Sequence, residues 1–357
     1  MKVCILGSGL SALALAKALV NENIFVDIVY ENKNYEVDVS RTIGISKSNS
    51  DFFNKNIINI EKISWKLDKI EIYSDSLKKE KILNFENNKE QLFSIIKNYK
   101  LYEMLDKSLS SDQYFKKLKY KKKVKFDQYN LIINTDYASF FTKKYFYKKI
   151  QKSYDSLAYT STMHHESISN YTATQIFTKI GPLAFLPISK KQTSIVFSIK
   201  GSKKNQEKNI NELIYKYNFK YKIKKIDKIN SFELKSLFLR SYYHENILAF
   251  GDLLHRIHPL AGQGFNMTIR DINVLTQIIK KKSSLGLPLD SSVNKEFEIK
   301  MRHNNYIFYS SIDFIYEFFN LERKLKNKTL SRSVKLLGKN PSINKLFKKI
   351  ADKGIYI

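Results

Sequence analysis

The chain contains one cysteine, Cys4, among 357 residues. One thiol excludes an internal disulfide framework and is typical of a protein from a reducing compartment. Long apolar runs are also missing, since no stretch reaches the roughly 20 uncharged apolar residues that a membrane-spanning helix needs. We therefore expect a cytoplasmic globular protein in which Cys4 is a small buried hydrophobe. Any membrane contact should be peripheral, on the inner face of the membrane.

Acidic residues are few, with 34 Asp and Glu against 62 Lys and Arg, which gives a net charge of +28. Such an excess can attract nucleic acids or anionic membranes through a long-range field. Here the cations are mostly lysines spread along the whole chain, whereas nucleic-acid readers rely on arginine as well. A nucleic-acid partner is therefore not expected.

The N-terminal 30 residues predict a strand, a helix and a second strand. The strand predictions are Lys2 to Leu6 and Ile24 to Tyr30, and the helix prediction is Gly9 to Val20. The same residues superficially resemble a secretory leader with an A-x-A site. A parallel β-α-β unit explains them better, because a cleaved leader would not require a second strand directly after the helix.

The turn between this first strand and the helix reads GSGLSA and has the form G-x-G-x-x-A. Gly7 allows the tight turn, Gly9 allows a pyrophosphate to approach the backbone, and Ala12 allows close helix packing. Glu31 follows Gly9 at nearly the spacing of about 20 residues expected for an acid that holds a ribose. The alternative is that the glycines merely turn the chain. We predict a dinucleotide site formed by Gly7, Ser8, Gly9, Leu10, Ser11, Ala12 and Glu31.

A second motif, GDLLHRIHPLAGQGFNMTIRD, runs from Gly251 to Asp271. It resembles the second FAD signature of the ubiquinone-biosynthesis hydroxylases, a branch of the para-hydroxybenzoate hydroxylase superfamily. The resemblance implies that Asp252 bonds the ribityl chain and that the loop from Pro259 to Asn266 lies beside the isoalloxazine ring. Backbone donors at a glycine-rich helix start suit a ring that carries charge when reduced. The residues implied are Gly251, Asp252, Pro259, Ala261, Gly262, Gln263, Gly264, Phe265 and Asn266.

Two other interpretations of this motif stay open. Asp252, His255 and His258 are spaced like metal ligands on one face, but Pro259 interrupts the regularity and no cysteine cluster accompanies them. A glycine-rich turn without a ligand is the other alternative. Neither histidine is identified as a catalytic acid or base, because a lone histidine is more often structural, and the catalytic residues remain unknown.

The resemblance extends to further segments of the chain. The stretch DVSRTIGIS makes Arg41 an expected FAD contact, with an exposed surface arginine as the alternative. The family's A-D-G-x-x-S element is replaced by NTDYAS, which retains Asp136 as an expected FAD contact. Tyr137 stands at the glycine position and Ser139 one place early, so this loop must take another shape. Leu253 and Leu254 replace the family's usual alanine pair.

The sequence thus predicts an α/β fold, Rossmann-like and FAD/NAD(P)-binding, of the para-hydroxybenzoate hydroxylase type. An antiparallel substrate-facing sheet and a helical C-terminus complete the prediction. The expected segments are 1–55, 98–150 and 240–285 for the FAD-binding domain, 56–97 for a substrate-domain segment with a helix near 89–97, 151–239 for the antiparallel sheet, and 286–357 for the C-terminal helices.

The resemblance implies that NAD(P)H reduces FAD and that oxygen hydroxylates a phenolic, prenylated quinone precursor in ubiquinone biosynthesis. The alternatives are a related flavin dehydrogenase or reductase, and a catalytically silent FAD-binding scaffold of a quinone-biosynthesis complex. Basic amphipathic segments near 331–337 and 343–350 predict either a contact with anionic lipid or a solvated basic surface.

Overall fold

The computed structural model describes residues 1–31, 38–77, 80–86, 91–120, 125–201, 210–259, 262–325 and 329–354. The chain builds two large sheets and one small sheet, with helices on their outer sides. The strand–helix–strand prediction for the N-terminus is confirmed: β1 spans Lys2–Leu6, α1 spans Leu10–Val20 and β2 spans Phe25–Tyr30.

The first large sheet has the strand order β16-β17-β9-β1-β2-β8. All neighbouring pairs are parallel except β16 with β17. Its further strands are β8 (Phe115–Lys119), β9 (Leu131–Asn134), β16 (Tyr243–His244) and β17 (Ile247–Ala249). β1 lies at the centre and is buried on both faces, which explains its unbroken apolar run. There burial raises the pKa of the Cys4 thiol to about 12, with the nearby Asp27 charge adding to the effect.

The second large sheet faces the cleft described below and has the order β18-β15-β10-β13-β12-β11-β5-β6, with β14 beside β10. Its pairs are antiparallel except β5 with β11. The strands are β5 (Lys69–Ser74), β6 (Glu80–Glu86), β10 (Lys149–His165), β11 (Thr172–Phe177), β12 (Pro182–Pro187), β13 (Gln192–Lys200), β14 (Ile223–Ile226), β15 (Asn230–Leu239) and β18 (His255–Arg256). The predicted antiparallel strands of the central region are confirmed.

The small sheet corrects one prediction. A helix was expected near residues 89–97, but Phe93–Lys97 forms β7, which is paired on both sides by β3 (Thr42–Ser46) and β4 (Ser64–Leu67). Phe93 to Ile96 is a run of four buried residues. A short apolar run of this kind cannot be assigned to helix or strand by periodicity alone. The helix, α3, begins only at Asn98 and ends at Ser110.

The remaining helices cover the sheets. They are α2 (Lys47–Asn56), α4 (Phe140–Tyr145), α5 (Ile210–Tyr217), α6 (Gly264–Ser284), α7 (Ser291–Leu325), α8 (Thr329–Lys339) and α9 (Pro341–Lys353). The predicted helical C-terminus is confirmed. In the part of the chain that the structure describes, no helix is both long enough and apolar enough to span a bilayer.

Candidate cofactor site

A cleft of about 750 Å³ lies where the ends of the parallel strands face the antiparallel sheet. This size is within the range of small-molecule and cofactor sites. The residues predicted as FAD contacts that line it are Gly7, Ser8, Gly9, Leu10, Ser11, Ala12, Glu31, Arg41, Asp136, Asp252, Pro259, Gly262, Gly264 and Phe265. Ala261, also predicted, lies outside the described residues.

One end of the cleft is formed by the turn before α1. Gly7 has a φ of +102°, and a Cβ at this position would stand 2.5 Å from the Thr135 hydroxyl oxygen. Only glycine fits that conformation and that approach. Gly9 is the N-cap residue of α1, and among the described residues no side chain caps this helix. The N–H groups of the first turn are therefore available to an anion, as a pyrophosphate requires.

The carboxyl ends of three neighbouring parallel strands meet at this point. Glu31 follows β2 and Asp136 follows β9, on either side of the turn after β1. One Asp136 oxygen accepts a bond of 2.8 Å from the backbone N–H of Ala138. The crevice outside the carboxyl ends of parallel strands is where α/β proteins bind ligands.

The loop with the sequence NTDYAS carries Tyr137 where the resemblance expects a glycine. In the described chain the non-glycine residues with positive φ are Asn23, Asp155 and Glu245, so Tyr137 adopts an ordinary backbone conformation. Ser139 caps the N-terminus of α4 by accepting from the Thr142 N–H. The loop thus leads directly into a short helix.

Gly251 joins the second motif to the first. Its φ is +63°, and a Cβ there would stand 2.7 Å from Cβ of Ser11 in the first turn of α1. This close approach sets the following residue, Asp252, in the wall of the cleft. Gly251 itself lies behind that wall. Leu253 and Leu254 are buried, so the larger pair is accommodated in the core.

The other end of the cleft contains a second helix start. α6 begins at Gly264, and among described residues no side chain caps it. Gly262 has a φ of +62°, and a Cβ there would stand 3.4 Å from the backbone nitrogen of Gly44 on β3. The positive φ favours glycine at this position, and the loop lies beside β3. Two uncapped helix N-termini, those of α1 and α6, line the same cleft.

Besides Gly251, two predicted contacts lie outside the cleft lining. Asn266 is fully buried and bonds to the backbone of Ser46, Gly44 and Gly262, which makes it a brace between α6 and β3. Gln263 immediately precedes α6 and is 3% exposed. Its side-chain oxygen is buried without a hydrogen-bond partner among the described residues.

His255 and His258 of the second motif are both buried and contact other side chains of the protein. His255 Nε2 donates to Asp271 across 2.5 Å with both side chains buried, and Asn305 donates to the other Asp271 oxygen. The His258 ring packs against Tyr154 and Tyr316, with ring centroids 5.0 and 4.4 Å away. Over the described ranges, no group of three His, Cys, Asp or Glu side chains could hold a metal ion.

Arg41 lies at the cleft with its guanidinium over the Phe232 ring, 4.8 Å from the centroid. It is preceded by Asp38, which accepts from Ser40 and from Asn230. Burial raises the pKa of Asp38, but these hydrogen bonds and the Arg41 charge outweigh it, so the pKa lies below its usual range. This stretch therefore keeps a carboxylate beside Arg41.

The sequence analysis missed Asn98, the first residue of α3. Its backbone N–H donates to the Arg41 carbonyl, and its side-chain oxygen lies buried in the cleft region without a hydrogen-bond partner in the described part of the chain. An orphaned buried acceptor in a cleft wall is a site for a ligand hydroxyl or N–H. The sequence did not identify Asn98 as a site residue, because a helix was expected near residues 89–97 and the start of α3 at Asn98 was not foreseen.

Comparison with known proteins defines the class first. Residues 147–282 match the sequence family described as FAD binding domain. The structure of p-nitrophenol 4-monooxygenase PnpA from Pseudomonas putida DLL-E4 superposes with a TM-score of 0.81 at 11% identity, covering 99% of this chain and 98% of that one. Klebsiella pneumoniae HpxO, solved with FAD and uric acid, gives 0.76 at 12% identity, covering 99% and 97%. The chain therefore has the α/β fold of these structures, the para-hydroxybenzoate hydroxylase type, and its residues 147–282 resemble an FAD binding domain.

Among proteins of known function, the chain is similar in sequence to hydroxylases of ubiquinone biosynthesis. The 3-demethoxyubiquinol 3-hydroxylase of Escherichia coli (strain K12) is 29% identical over 153 residues, which cover 41% of this chain and 39% of that protein. The ubiquinone biosynthesis monooxygenase COQ6 of Xenopus tropicalis is 22% identical over 218 residues, covering 49% and 47%. The chain thus spans less than half the length of these relatives. The resemblance to ubiquinone-biosynthesis hydroxylases is confirmed.

Proposed function

We propose that this protein is an FAD-dependent monooxygenase that hydroxylates a phenolic, prenylated quinone precursor in ubiquinone biosynthesis, using NAD(P)H and oxygen. One observation carries the proposal: the N-termini of α1 and α6 line the same cleft. Glycines lie next to both N-termini, and among the described residues no side chain caps either of them. A dinucleotide with a redox-active ring needs both, one for its pyrophosphate and one for the ring.

In this proposal the N-terminus of α1 binds the FAD pyrophosphate and Glu31 holds the ribose hydroxyls. Asp252 bonds the ribityl chain, and the orphaned Asn98 oxygen can accept from the same part of the cofactor. Arg41 and Asp136 complete the contacts along the cleft. Gly251, Gln263 and Asn266 support the loop from behind. The division into FAD-binding and substrate segments remains part of the proposal.

The FAD, once reduced by NAD(P)H, supplies the chemistry that activates oxygen. The protein's contribution is to fix the ring, to place the substrate and to keep water away. The cleft lining includes the apolar side chains of Ile43, Phe232 and Leu234. These side chains offer an aromatic, prenylated molecule apolar surface to contact.

The substrate class is supported by the relatives, one of which is named 3-demethoxyubiquinol 3-hydroxylase. The other candidates are a flavin dehydrogenase or reductase and a silent scaffold of a quinone-biosynthesis complex. Tyr137, at the family's glycine position, is the feature that favours these alternatives. Oxygen-dependent NAD(P)H oxidation by FAD-saturated protein separates the three functions.

A hydroxylase oxidises NAD(P)H faster when a prenylated phenol is added. The amount of NAD(P)H oxidised then matches the amount of hydroxylated product formed. A reductase consumes NAD(P)H at a rate set by an electron acceptor and yields no oxygenated product. A scaffold retains FAD but shows no stimulated consumption. The last two results would contradict the proposal.

A peripheral contact with an anionic membrane belongs to the same proposal, because a prenylated substrate partitions into lipid. On α8 and α9 the apolar residues Leu336, Leu337, Leu346 and Phe347 are exposed among lysines. This pattern supports contact of these helices with headgroups and acyl chains.

A further inference from the structure

A second exposed apolar surface adjoins the cleft itself. It comprises Tyr137, the outer side of α4 and the residues up to Lys149, and is called the mouth surface below. Three large aromatic side chains are exposed on it: Tyr137 at 43%, Phe140 at 65% and Tyr147 at 63%. Tyr137 and Ala138 also line the cleft, so this surface lies at the cleft mouth.

The mouth surface has charge of only one sign. From Tyr137 to Lys149 the sequence contains four lysines and no Asp or Glu. Lys143, Lys144 and Lys148 are exposed, and in the described structure none of them forms an ion pair. Lys149 donates to the Tyr137 hydroxyl across 2.6 Å instead of to a carboxylate. The surface is therefore cationic without internal neutralisation.

The segment that carries the exposed aromatic residues is packed against the rest of the protein on its inner side. Phe146 and Thr142 on the inner side are buried, and Phe141 packs edge-on against Phe126 with ring centroids 5.2 Å apart. The Tyr145 ring stacks on His244 at 3.9 Å. Because the inner side is held in this way, burial of Phe140 and Tyr147 elsewhere in the fold would require α4 to detach.

The cations continue around the mouth. Lys149 Nζ lies 4.6 Å and Arg256 Cζ 5.9 Å from the centre of the Tyr137 ring. Arg240 is exposed next to them, and its backbone bonds to the Lys148 carbonyl. Amphipathic aromatic rings favour the headgroup level of a bilayer, and lysines are attracted by its anionic headgroups.

We propose that the mouth surface docks on an anionic lipid bilayer and holds the cleft mouth against it. A lipid partner fits better than a protein, because lysine is depleted in the buried core of protein–protein interfaces. It also fits better than a nucleic acid, since the cations of residues 137–149 are all lysines. The docking rests on the exposure and the charge of this surface and does not depend on the proposed function.

The test is co-sedimentation of the FAD-loaded full chain with vesicles of phosphatidylglycerol and phosphatidylcholine. Two double variants change the mouth surface: Phe140→Ser with Tyr147→Ser, and Lys143→Glu with Lys144→Glu. Each should lower the vesicle partition coefficient roughly tenfold or more. Vesicles of phosphatidylcholine alone should bind the parent protein weakly, and added salt should release it from the anionic vesicles.

Matched controls lie on the far side of the antiparallel sheet. Tyr215 and Phe219 are exposed at 55% and 54%, and Lys224 and Lys228 are exposed near them. Tyr215→Ser with Phe219→Ser, and Lys224→Glu with Lys228→Glu, should leave partition within about twofold of the parent. All variants should retain FAD and melt within a few degrees of the parent, which separates docking from folding.

Three results would overturn the inference. The first is a vesicle partition coefficient that is unchanged in both mouth variants, and the second is an equal partition coefficient for the controls and the mouth variants. The third is complete loss of vesicle binding in the double variant Leu336→Ser with Leu346→Ser while the mouth variants bind normally. Equally tight binding to poly-glutamate would indicate an acidic protein partner instead. Partition requires no turnover, so failure of the proposed hydroxylation would leave this result intact.

Discussion

The side-chain oxygen of Asn266 accepts a hydrogen bond of 2.9 Å from the backbone N–H of Ser46, although 220 residues separate them in the chain. The amide of the same side chain donates to the carbonyls of Gly44 and Gly262. The glycine loop before α6 is thereby fastened to β3. This end of the cleft is consequently held in shape by contacts within the protein itself.

Replacement of Asn266 by alanine tests this brace. It leaves the Ser46 N–H and the Gly44 carbonyl without their buried partner, so the free energy of unfolding of the FAD-free protein should fall by roughly 2 to 4 kcal/mol. Chemical denaturation of apoprotein measures it. Asn304→Ala, at a partly exposed position on α7, should have little effect. If apoprotein stability were unchanged and only FAD affinity fell, Asn266 would be a direct cofactor contact instead.

Gly251→Ala tests the junction between the two motifs. A non-glycine residue at positive φ costs roughly 1 to 2 kcal/mol, and the new Cβ would also meet the Ser11 side chain. Adding Ser11→Gly removes that contact but not the backbone strain. In a double-mutant cycle measured by denaturation, the double variant should be more stable than the sum of the two single losses. If the stability losses of the two single variants simply added up in the double variant, the close approach of Gly251 to Ser11 would be contradicted.

Glu31→Gln tests the predicted ribose contact. Loss of a charge-assisted hydrogen bond should weaken FAD binding by about 1.5 to 3 kcal/mol, which is roughly tenfold or more in the dissociation constant. Flavin fluorescence during titration of apoprotein gives this constant. The control is Glu22→Gln, which removes a surface ion pair with Lys280 and should leave FAD affinity unchanged. Equal affinities for parent and Glu31→Gln would remove this residue from the site.

Asp38 makes stability depend on pH at the acid side. Its pKa in the folded protein lies below that of the unfolded chain, so its stabilising contribution is present above about pH 4 and is lost as the pH falls further. The stability difference between the parent and Asp38→Asn should therefore shrink as the pH drops below about 4. Denaturation curves across that range measure the difference. A difference that stays constant or grows toward low pH would contradict the assignment.

Local patterns in the sequence were sufficient for the β1–α1–β2 unit and for the start of α6, because glycine spacing and strand composition act within a few residues. The β7 strand was missed because Phe93 to Ile96 is too short a run to reveal its period. The brace by Asn266 and the orphaned oxygen of Asn98 depend on partners far away in the chain. Such relationships follow from tertiary packing, which spacing alone does not encode.

The central claim is that oxygen is inserted into a prenylated phenol, and labelled oxygen tests it most directly. FAD-saturated protein, NAD(P)H and a panel of prenylated phenols are incubated under ¹⁸O₂, and the organic product is analysed by mass spectrometry. We predict one ¹⁸O atom in the product, with Tyr137→Gly changing FAD affinity more than product yield, since contacts far from the ring contribute mainly to uniform binding. No labelled product and no stimulated NAD(P)H oxidation with the native protein, together with labelled product from Tyr137→Gly, would contradict the claim and identify a silent relative.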